Sequence, residues 1–132
     1  MKKNLLLVDD DLNHMAVLAV GLIGAGYRVI PEIEAEVALA VLRGSERIDL
    51  IIVDFEMPGL DASAFMTTQR QFKPNVPVIV LAGRASVESY IKVMGHGAFE
   101  YINKPVSVGE LKRVIDSALF QSEKNELSRV TR

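Results

Sequence analysis

The chain has 132 residues, enough for one domain with a buried core, and 49% of them are hydrophobic while 24% are charged. Its 15 basic and 17 acidic side chains give a net charge of −2, which excludes a global electrostatic attraction to nucleic acid or to an anionic membrane. The absence of cysteine excludes disulfides and thiolate zinc sites and is typical of a reducing compartment, so we expect a soluble, cytoplasmic protein.

Apolar runs typical of buried strands alternate with helix-like periodicities five times along the chain. In chain order the pattern predicts strand Asn4–Val8, helix 12–23, strand Tyr27–Ile30, helix Ala35–Arg43, strand Asp49–Val53, helix Ala62–Gln71, strand Val76–Leu81, helix 87–95, strand Phe99–Ile102 and a last helix from residue 108. Asp11, Asp61 and Ser86 can cap three of these helices, and Ser107-x-x-Glu110 is a capping box for the last. Five strand–helix units with short connections imply a parallel sheet between two layers of helices, a three-layer α/β sandwich.

The composition changes near the end of the chain. After Gln121 the residues are mostly polar, and Leu127 and Val130 are the only large apolar ones in the sequence there. We therefore predict one domain over residues 1–122 and a helical extension or linker over residues 123–132.

Acidic side chains follow two of the predicted strands, and a lysine follows the last. Asp9 and Asp10 come directly after the first strand, Asp54 after the third, and Lys104 after the fifth. The carboxyl ends of parallel strands share one edge of a sheet, so we expect these side chains to lie together. Three carboxylates and one ammonium leave a surplus of negative charge that a divalent cation neutralises, and oxygen donors favour Mg²⁺ or Mn²⁺ over zinc. Such a site suits phosphoryl transfer, with Asp54 as the nucleophile and Lys104 neutralising the phosphoryl oxygens.

Together these features resemble the receiver domain of two-component response regulators over nearly the whole chain. The matching motifs are Leu6–Asp10, Ile52–Asp54 with Met57-Pro58-Gly59, Pro77–Val80 and Gly97–Pro105. The resemblance implies a flavodoxin-like fold with five parallel strands in the order 2-1-3-4-5 and five helices. The stretch from Gly83 to Val106 is most similar to receivers of multidomain transcriptional activators, so the last ten residues suit either a linker to an output domain beyond Arg132 or the tail of a stand-alone receiver.

The resemblance also implies a role for each residue of the acidic site. Asp54 is expected to accept phosphate from the phosphohistidine of a sensor histidine kinase. Asp10, Asp54 and the backbone carbonyl of Glu56 are expected to bind Mg²⁺ (or Mn²⁺) directly, and Asp9 is expected to act through water. Lys104 would hold the phosphoryl group. A receiver of this kind is a signalling protein, not an enzyme with an external substrate, and it catalyses at most its own phosphorylation and dephosphorylation.

The switch implied by the resemblance has one unusual position. Members of the family carry Thr or Ser at the end of the fourth strand, and an aromatic residue at the position of Tyr101 whose rotamer reports activation. Counted back from Lys104, that position in this chain is Ala82, which has no hydroxyl to donate to a phosphoryl group. A hydrogen bond to a charged group contributes about 1.5–3 kcal/mol, so we expect weak coupling unless other contacts suffice. The face that switches would be formed by the fourth helix, fifth strand and fifth helix, and it is also our expected homodimer interface.

A second unusual feature is a charged pair at the rim of the predicted pocket. Glu56 lies two residues after Asp54, and Arg84 lies two residues after Ala82. We expect a salt bridge between the two across the mouth of the pocket, where it would obstruct the water that hydrolyses an acyl phosphate. Independent, solvated side chains are the alternative.

Two other functions are compatible with parts of the pattern. Asp9–Asp11 resembles the aspartate-x-aspartate opening of haloacid-dehalogenase-type phosphohydrolases, but Asn13 stands where that family has Thr or Val. Ala82 would suit a receiver-like interaction module that does not signal through phosphate, although the intact acids and lysine argue against it. His14 and His96 have no metal-ligand spacing, and we expect both to be exposed and without a role.

Overall fold

The structure, a computed structural model, describes residues 1–130 of the chain. Its elements are β1 Asn4–Val8, α1 Leu12–Gly24, β2 Arg28–Glu32, α2 Ala35–Arg43, β3 Leu50–Asp54, α3 Ala62–Phe72, β4 Val78–Ala82, α4 Val87–Gly95, β5 Glu100–Asn103 and α5 Val108–Val130. Each predicted element is present, with ends shifted by a few residues. β2 continues through Pro31, because an edge strand tolerates a residue that has no N–H to donate. Residues 131 and 132 of the predicted extension lie outside the described residues.

The five strands form one parallel sheet in the order β2-β1-β3-β4-β5, which confirms the predicted flavodoxin-like fold with five helices. β1 lies between β2 and β3, so the chain leaves the carboxyl ends of β1 and β3 toward opposite edges of the sheet. The two strands end side by side, with Val8 opposite Val53. Open α/β sheets bind their ligands at such a point, beyond the carboxyl ends of the strands.

Helices cover both faces of the sheet, so its central strands are buried on both sides. Alternate residues of β1 supply two hydrophobic clusters. Leu6 and Val8 pack in the cluster that contains α2, α3 and α4, whereas Leu5 and Leu7 pack in the cluster that contains α1 and α5. Close packing on both faces makes the strands a firm platform for the residues that follow their carboxyl ends.

The predicted helix caps are formed by local hydrogen bonds. Asp11, Asp61 and Ser86 precede α1, α3 and α4, and each side chain accepts a hydrogen bond from the backbone N–H three residues later. The Ser107 hydroxyl likewise accepts from the backbone N–H of Glu110 at 3.1 Å. These caps determine where the chain turns from the carboxyl end of a strand into the next helix.

α5 is one continuous helix that crosses the predicted boundary at residue 122. The second half of α5 contacts the rest of the fold through polar groups. Glu123 Oε1 lies 2.9 Å from Lys3 Nζ, and Arg129 Nη1 donates to Asn75 Oδ1 at 2.8 Å. The division of the chain at residue 122 therefore stays a prediction. Within residues 1–130, neither α5 nor another helix combines the length and the apolar character needed to cross a bilayer.

Candidate functional site

Three carboxylates meet where β1 and β3 end. Asp9, Asp10 and Asp54 each offer an oxygen, and these oxygens lie within 4.8 Å of one another. Asp9 and Asp54 are buried, with 1% and 6% of their surface exposed, while Asp10 is exposed to solvent. The predicted convergence of the acids is therefore present, with two carboxylates inside the fold and one at the entrance.

Lys104 supplies the positive charge of the cluster from the end of β5. Its Nζ lies 3.1 Å from Asp54 Oδ2 and 3.8 Å from Asp9 Oδ2, with 20% of the side chain exposed. Its backbone N–H donates to the carbonyl of Ala82 at 2.9 Å, which continues the ladder between β4 and β5 beyond the last paired residue. This bond places Lys104 at the same sheet edge as the three acids.

Burial and the neighbouring ammonium of Lys104 shift the pKa of Asp54 in opposite directions. Burial raises the pKa of the Asp54 carboxyl above its ordinary value, and the neighbouring charge of Asp9 acts in the same direction. The hydrogen bond and charge of Lys104, together with the Glu56 N–H, lower the pKa but do not cancel the effect of burial. Lys104 contributes one positive charge beside three carboxylates. Clustered carboxylate oxygens are a donor set that fits a hard divalent cation such as Mg²⁺ or Mn²⁺.

Glu56 connects the β3–α3 loop to the β4–α4 loop. Its backbone N–H donates to Asp54 Oδ1 at 3.3 Å, and its carboxylate Oε1 accepts from the backbone N–H groups of Gly83 at 3.0 Å and Arg84 at 3.2 Å. The predicted salt bridge between the Glu56 carboxylate and the Arg84 guanidinium is therefore wrong. In the part of the chain that the structure describes, no ion pair includes this guanidinium. The Glu56 carboxylate instead accepts hydrogen bonds from two backbone amides that follow β4, and the Arg84 side chain is exposed.

Ala82 ends β4 directly beside the cluster. It is fully buried and lies opposite Asn103 in the pairing of β4 with β5. Its methyl group cannot donate a hydrogen bond, so the contact that a Thr or Ser would make from this position is missing.

Tyr101 lies on β5 with its ring half-buried between α4 and the β3–α3 loop. Its hydroxyl makes a short hydrogen bond with the Ser89 hydroxyl and accepts from the Ser86 N–H at 3.4 Å. The ring makes edge-on contacts with Phe55 and Tyr90, at centroid distances of 6.3 Å and 5.9 Å. The side chain thus contacts Ser86 and Ser89, which form a capping box at the start of α4, and its expected role as a switch stays a prediction.

Sequence reasoning missed His14. The expectation that both histidines are exposed is wrong, because His14 and His96 are half-buried. The Nδ1 atom of His14 lies 2.5 Å from Asp9 Oδ2, whereas Nδ1 of His96 lies 2.8 Å from the Lys92 carbonyl at the end of α4. The available signal was the position in the chain: His14 follows the Asp11 cap by three residues, in the first turn of a helix that begins three residues after Asp9.

Comparison with known proteins gives a consistent result. The family profile described as "Response regulator receiver domain" matches residues 5–116. The transcriptional regulatory protein GlrR of Escherichia coli (strain K12) is 34% identical over 119 residues, which are 90% of this chain and 27% of that protein. The chain thus spans about a quarter of the length of this relative.

Solved structures resemble the whole fold. A CheY-like response regulator receiver domain protein from Methanospirillum hungatei JF-1 has a TM-score of 0.89 and 28% identity, covering 95% of this chain and 99% of that one. NtrX from Brucella abortus has a TM-score of 0.92 and 25% identity, and the match covers 100% of this chain and 30% of that one. The second match places the same fold inside a longer protein.

Proposed function

Because this chain belongs to the response regulator receiver family, we propose that it is the phosphoacceptor of a two-component system and that Asp54 receives phosphate from a sensor histidine kinase. The observation that carries the proposal is the position of Lys104, whose Nζ lies 3.1 Å from Asp54 Oδ2 beside two further carboxylates. A structural ion pair would need only one acid. Three acids and one ammonium are the parts that phosphoryl transfer to a carboxylate requires.

The chemical step uses the buried carboxylate as a nucleophile. An oxygen of Asp54 attacks the phosphorus of the kinase phosphohistidine, the phosphorus–nitrogen bond breaks, and the imidazole leaves with that electron pair. Lys104 neutralises an oxygen of the transferred group from its place beside Asp54. Asp10, Asp54 and the Glu56 carbonyl would hold Mg²⁺ or Mn²⁺ directly, with Asp9 acting through water, and the bound cation supplies further neutralisation of phosphoryl charge. The chain then catalyses at most its own phosphorylation and dephosphorylation.

The response is proposed to pass to the face formed by α4, β5 and α5. Tyr101 lies at this face, and its hydroxyl is bonded to Ser89 of α4, so a change in its rotamer would disturb the start of that helix. The same face is our proposed homodimer interface. The length of the relatives supports an output domain beyond Arg132. We also propose that the protein is cytoplasmic. We propose no direct contact of this domain with nucleic acid or membrane.

Mapping the phosphorylated residue tests the proposal. The chain is treated with acetyl phosphate with and without Mg²⁺, and the modified residue is identified by mass spectrometry. We expect a Mg²⁺-dependent gain of one phosphoryl group at Asp54 and none in Asp54→Asn. Label at Asp9 would instead indicate chemistry of the haloacid-dehalogenase type.

A second function is favoured by Ala82 alone. A receiver-like module that binds partners without phosphate needs no hydroxyl at the end of β4, and it would show no label under either condition. That result would overturn the phosphoacceptor proposal.

A further inference from the structure

The Asp9 carboxylate has hydrogen-bond partners on both of its oxygens. Oδ1 accepts from the backbone N–H of Asp11 at 3.0 Å, and Oδ2 lies 2.5 Å from Nδ1 of His14. Lys104 is the more distant neighbour of the same oxygen, at 3.8 Å. An ionised carboxylate only accepts, so the short contact with it uses the tautomer of His14 that carries its hydrogen on Nδ1.

The local fold aims the His14 ring at this acid. His14 is the third residue of α1, and its backbone N–H donates to the cap residue Asp11 at 3.1 Å. The ring therefore lies over the end of β1, with 25% of the side chain exposed, against 2% for the Asp9 side chain that it contacts. A buried carboxylate held by two donors from one short segment has little freedom to rotate.

Lys104 lies closer to Asp54 than to the acid that His14 contacts. With His14 on Asp9 Oδ2, the ammonium lies 0.7 Å closer to Asp54 (3.1 Å) than to Asp9 (3.8 Å). Without the imidazole, Asp9 would be left with one backbone donor and would compete for the same ammonium. His14 thus keeps Asp9 oriented and leaves Lys104 to the nucleophile.

We propose that His14 is a positioning residue of the cation site, holding Asp9 so that its carboxylate completes the oxygen cluster with Asp10 and Asp54. The inference rests on the proposed function, since it concerns the same site. Hydrogen-bond partners of metal-binding carboxylates commonly change metal affinity by about 10–100-fold when they are removed. No sequence motif predicts the contact between His14 and Asp9, because it depends on the direction of a side chain in the first turn of α1.

The test is a Mg²⁺ titration of the whole chain, followed by NMR through the backbone amide shifts of the cluster, without a phosphodonor. His14→Phe keeps a planar ring and loses the donor, and we expect its Kd for Mg²⁺ to rise about tenfold. His14→Asn places an amide nitrogen near the position of Nδ1, and we expect it to bind Mg²⁺ nearly as well as the wild type. His96→Phe removes the other half-buried histidine, which bonds the Lys92 carbonyl, and should leave the Kd unchanged.

The outcomes separate positioning from mere packing. Thermal unfolding without cation verifies that each variant is folded, and His14→Ala provides a second donor-free variant should Phe disturb α1. Wild-type affinity in both donor-free variants would overturn the inference, as would equal losses in His14→Phe and His14→Asn. If the wild type itself bound no Mg²⁺, the proposed function would fall together with this inference, whereas equal affinities would remove only the role of His14.

Discussion

At the scale of single residues, Lys104 connects elements that are not neighbours in the sheet. It follows β5, yet its ammonium reaches across the end of β4 to the carboxylate that ends β3, at 3.1 Å. The long side chain allows this reach, and the backbone bond from Lys104 to the Ala82 carbonyl determines where it starts. Lys104 and Ala82 are therefore joined in one hydrogen-bonded ladder, although only one of them carries a polar side chain.

The missing hydroxyl at Ala82 leads to a prediction about switching. Ala82→Thr introduces a donor worth about 1.5–3 kcal/mol toward a charged acceptor, roughly a tenfold to hundredfold change in a population ratio. We expect the amide shifts that phosphorylation causes around Tyr101 to become larger in this variant, as measured by NMR. Ala82→Val adds the same volume to a fully buried position without the hydroxyl and is the matched control. Equal responses of the Thr and Val variants would contradict the prediction.

The Glu56 carboxylate leads to a second prediction at this scale. It accepts from the N–H groups of Gly83 and Arg84, so removing it should loosen the β4–α4 loop. A hydrogen bond to a charged group contributes about 1.5–3 kcal/mol, so amide hydrogen exchange at these two positions should become roughly 10- to 100-fold faster in Glu56→Ala. Glu56→Gln keeps an acceptor oxygen and should give an intermediate rate. Unchanged exchange in the Ala variant would show that the loop is held by other contacts.

At the scale of elements, α3 illustrates how one side chain determines the start of a helix. The Asp61 carboxylate accepts from the Ala64 N–H at 2.9 Å, and Lys92 of α4 lies 3.5 Å from its other oxygen. The bond from Ala64 holds the pKa of Asp61 below its ordinary value of 3.8, and Lys92 acts in the same direction. The ionised form is thus the one that stabilises the folded state.

That direction gives the pH dependence of the cap. Because the folded pKa is the lower one, the stabilisation by Asp61 is complete above about pH 5 and is lost as the pH falls through the folded pKa. Asp61→Ala should lower the free energy of unfolding by about 1 kcal/mol at pH 7, and by less at a pH below the folded value, as measured by urea denaturation. Asp61→Asn retains a capping oxygen without a titrating charge, so its difference from Asp61→Ala should not vary with pH in the acid range. A constant Asp61→Ala effect across that range would contradict the assignment.

Elements were predictable where the signal is local. Apolar runs of five residues indicate strands because parallel strands covered on both faces bury every side chain, and caps act over three residues. The ends of the strands were less predictable, as β2 and Pro31 illustrate. Whether proline is tolerated depends on which strand lies at the edge, and only the order of the sheet decides that.

At the scale of the whole molecule, the order of the strands creates the site. β1 and β3 are neighbours, so acids that are 44 or 45 positions apart in the chain become one cluster with oxygens within 4.8 Å. β5 brings its lysine to the same edge from the other side of β4. The helices add the rest: the first turn of α1 contributes His14, and the start of α4 holds the Tyr101 hydroxyl.

The amino-acid sequence by itself determined the elements, their alternation and the residues that end the strands, because burial and capping are properties of short segments. The places of the acids and of Lys104 after parallel strands predicted that they meet, and the family motifs added the strand order. The tertiary structure decided which groups form hydrogen bonds with the side chains of the site. Glu56 takes two backbone amides and not a guanidinium, and Asp9 takes an imidazole that the sequence left without a role. The Glu56 contacts join loops that are far apart in the chain, and the Asp9 contact depends on the direction of the His14 ring in the first turn of α1, and only the packed fold establishes both.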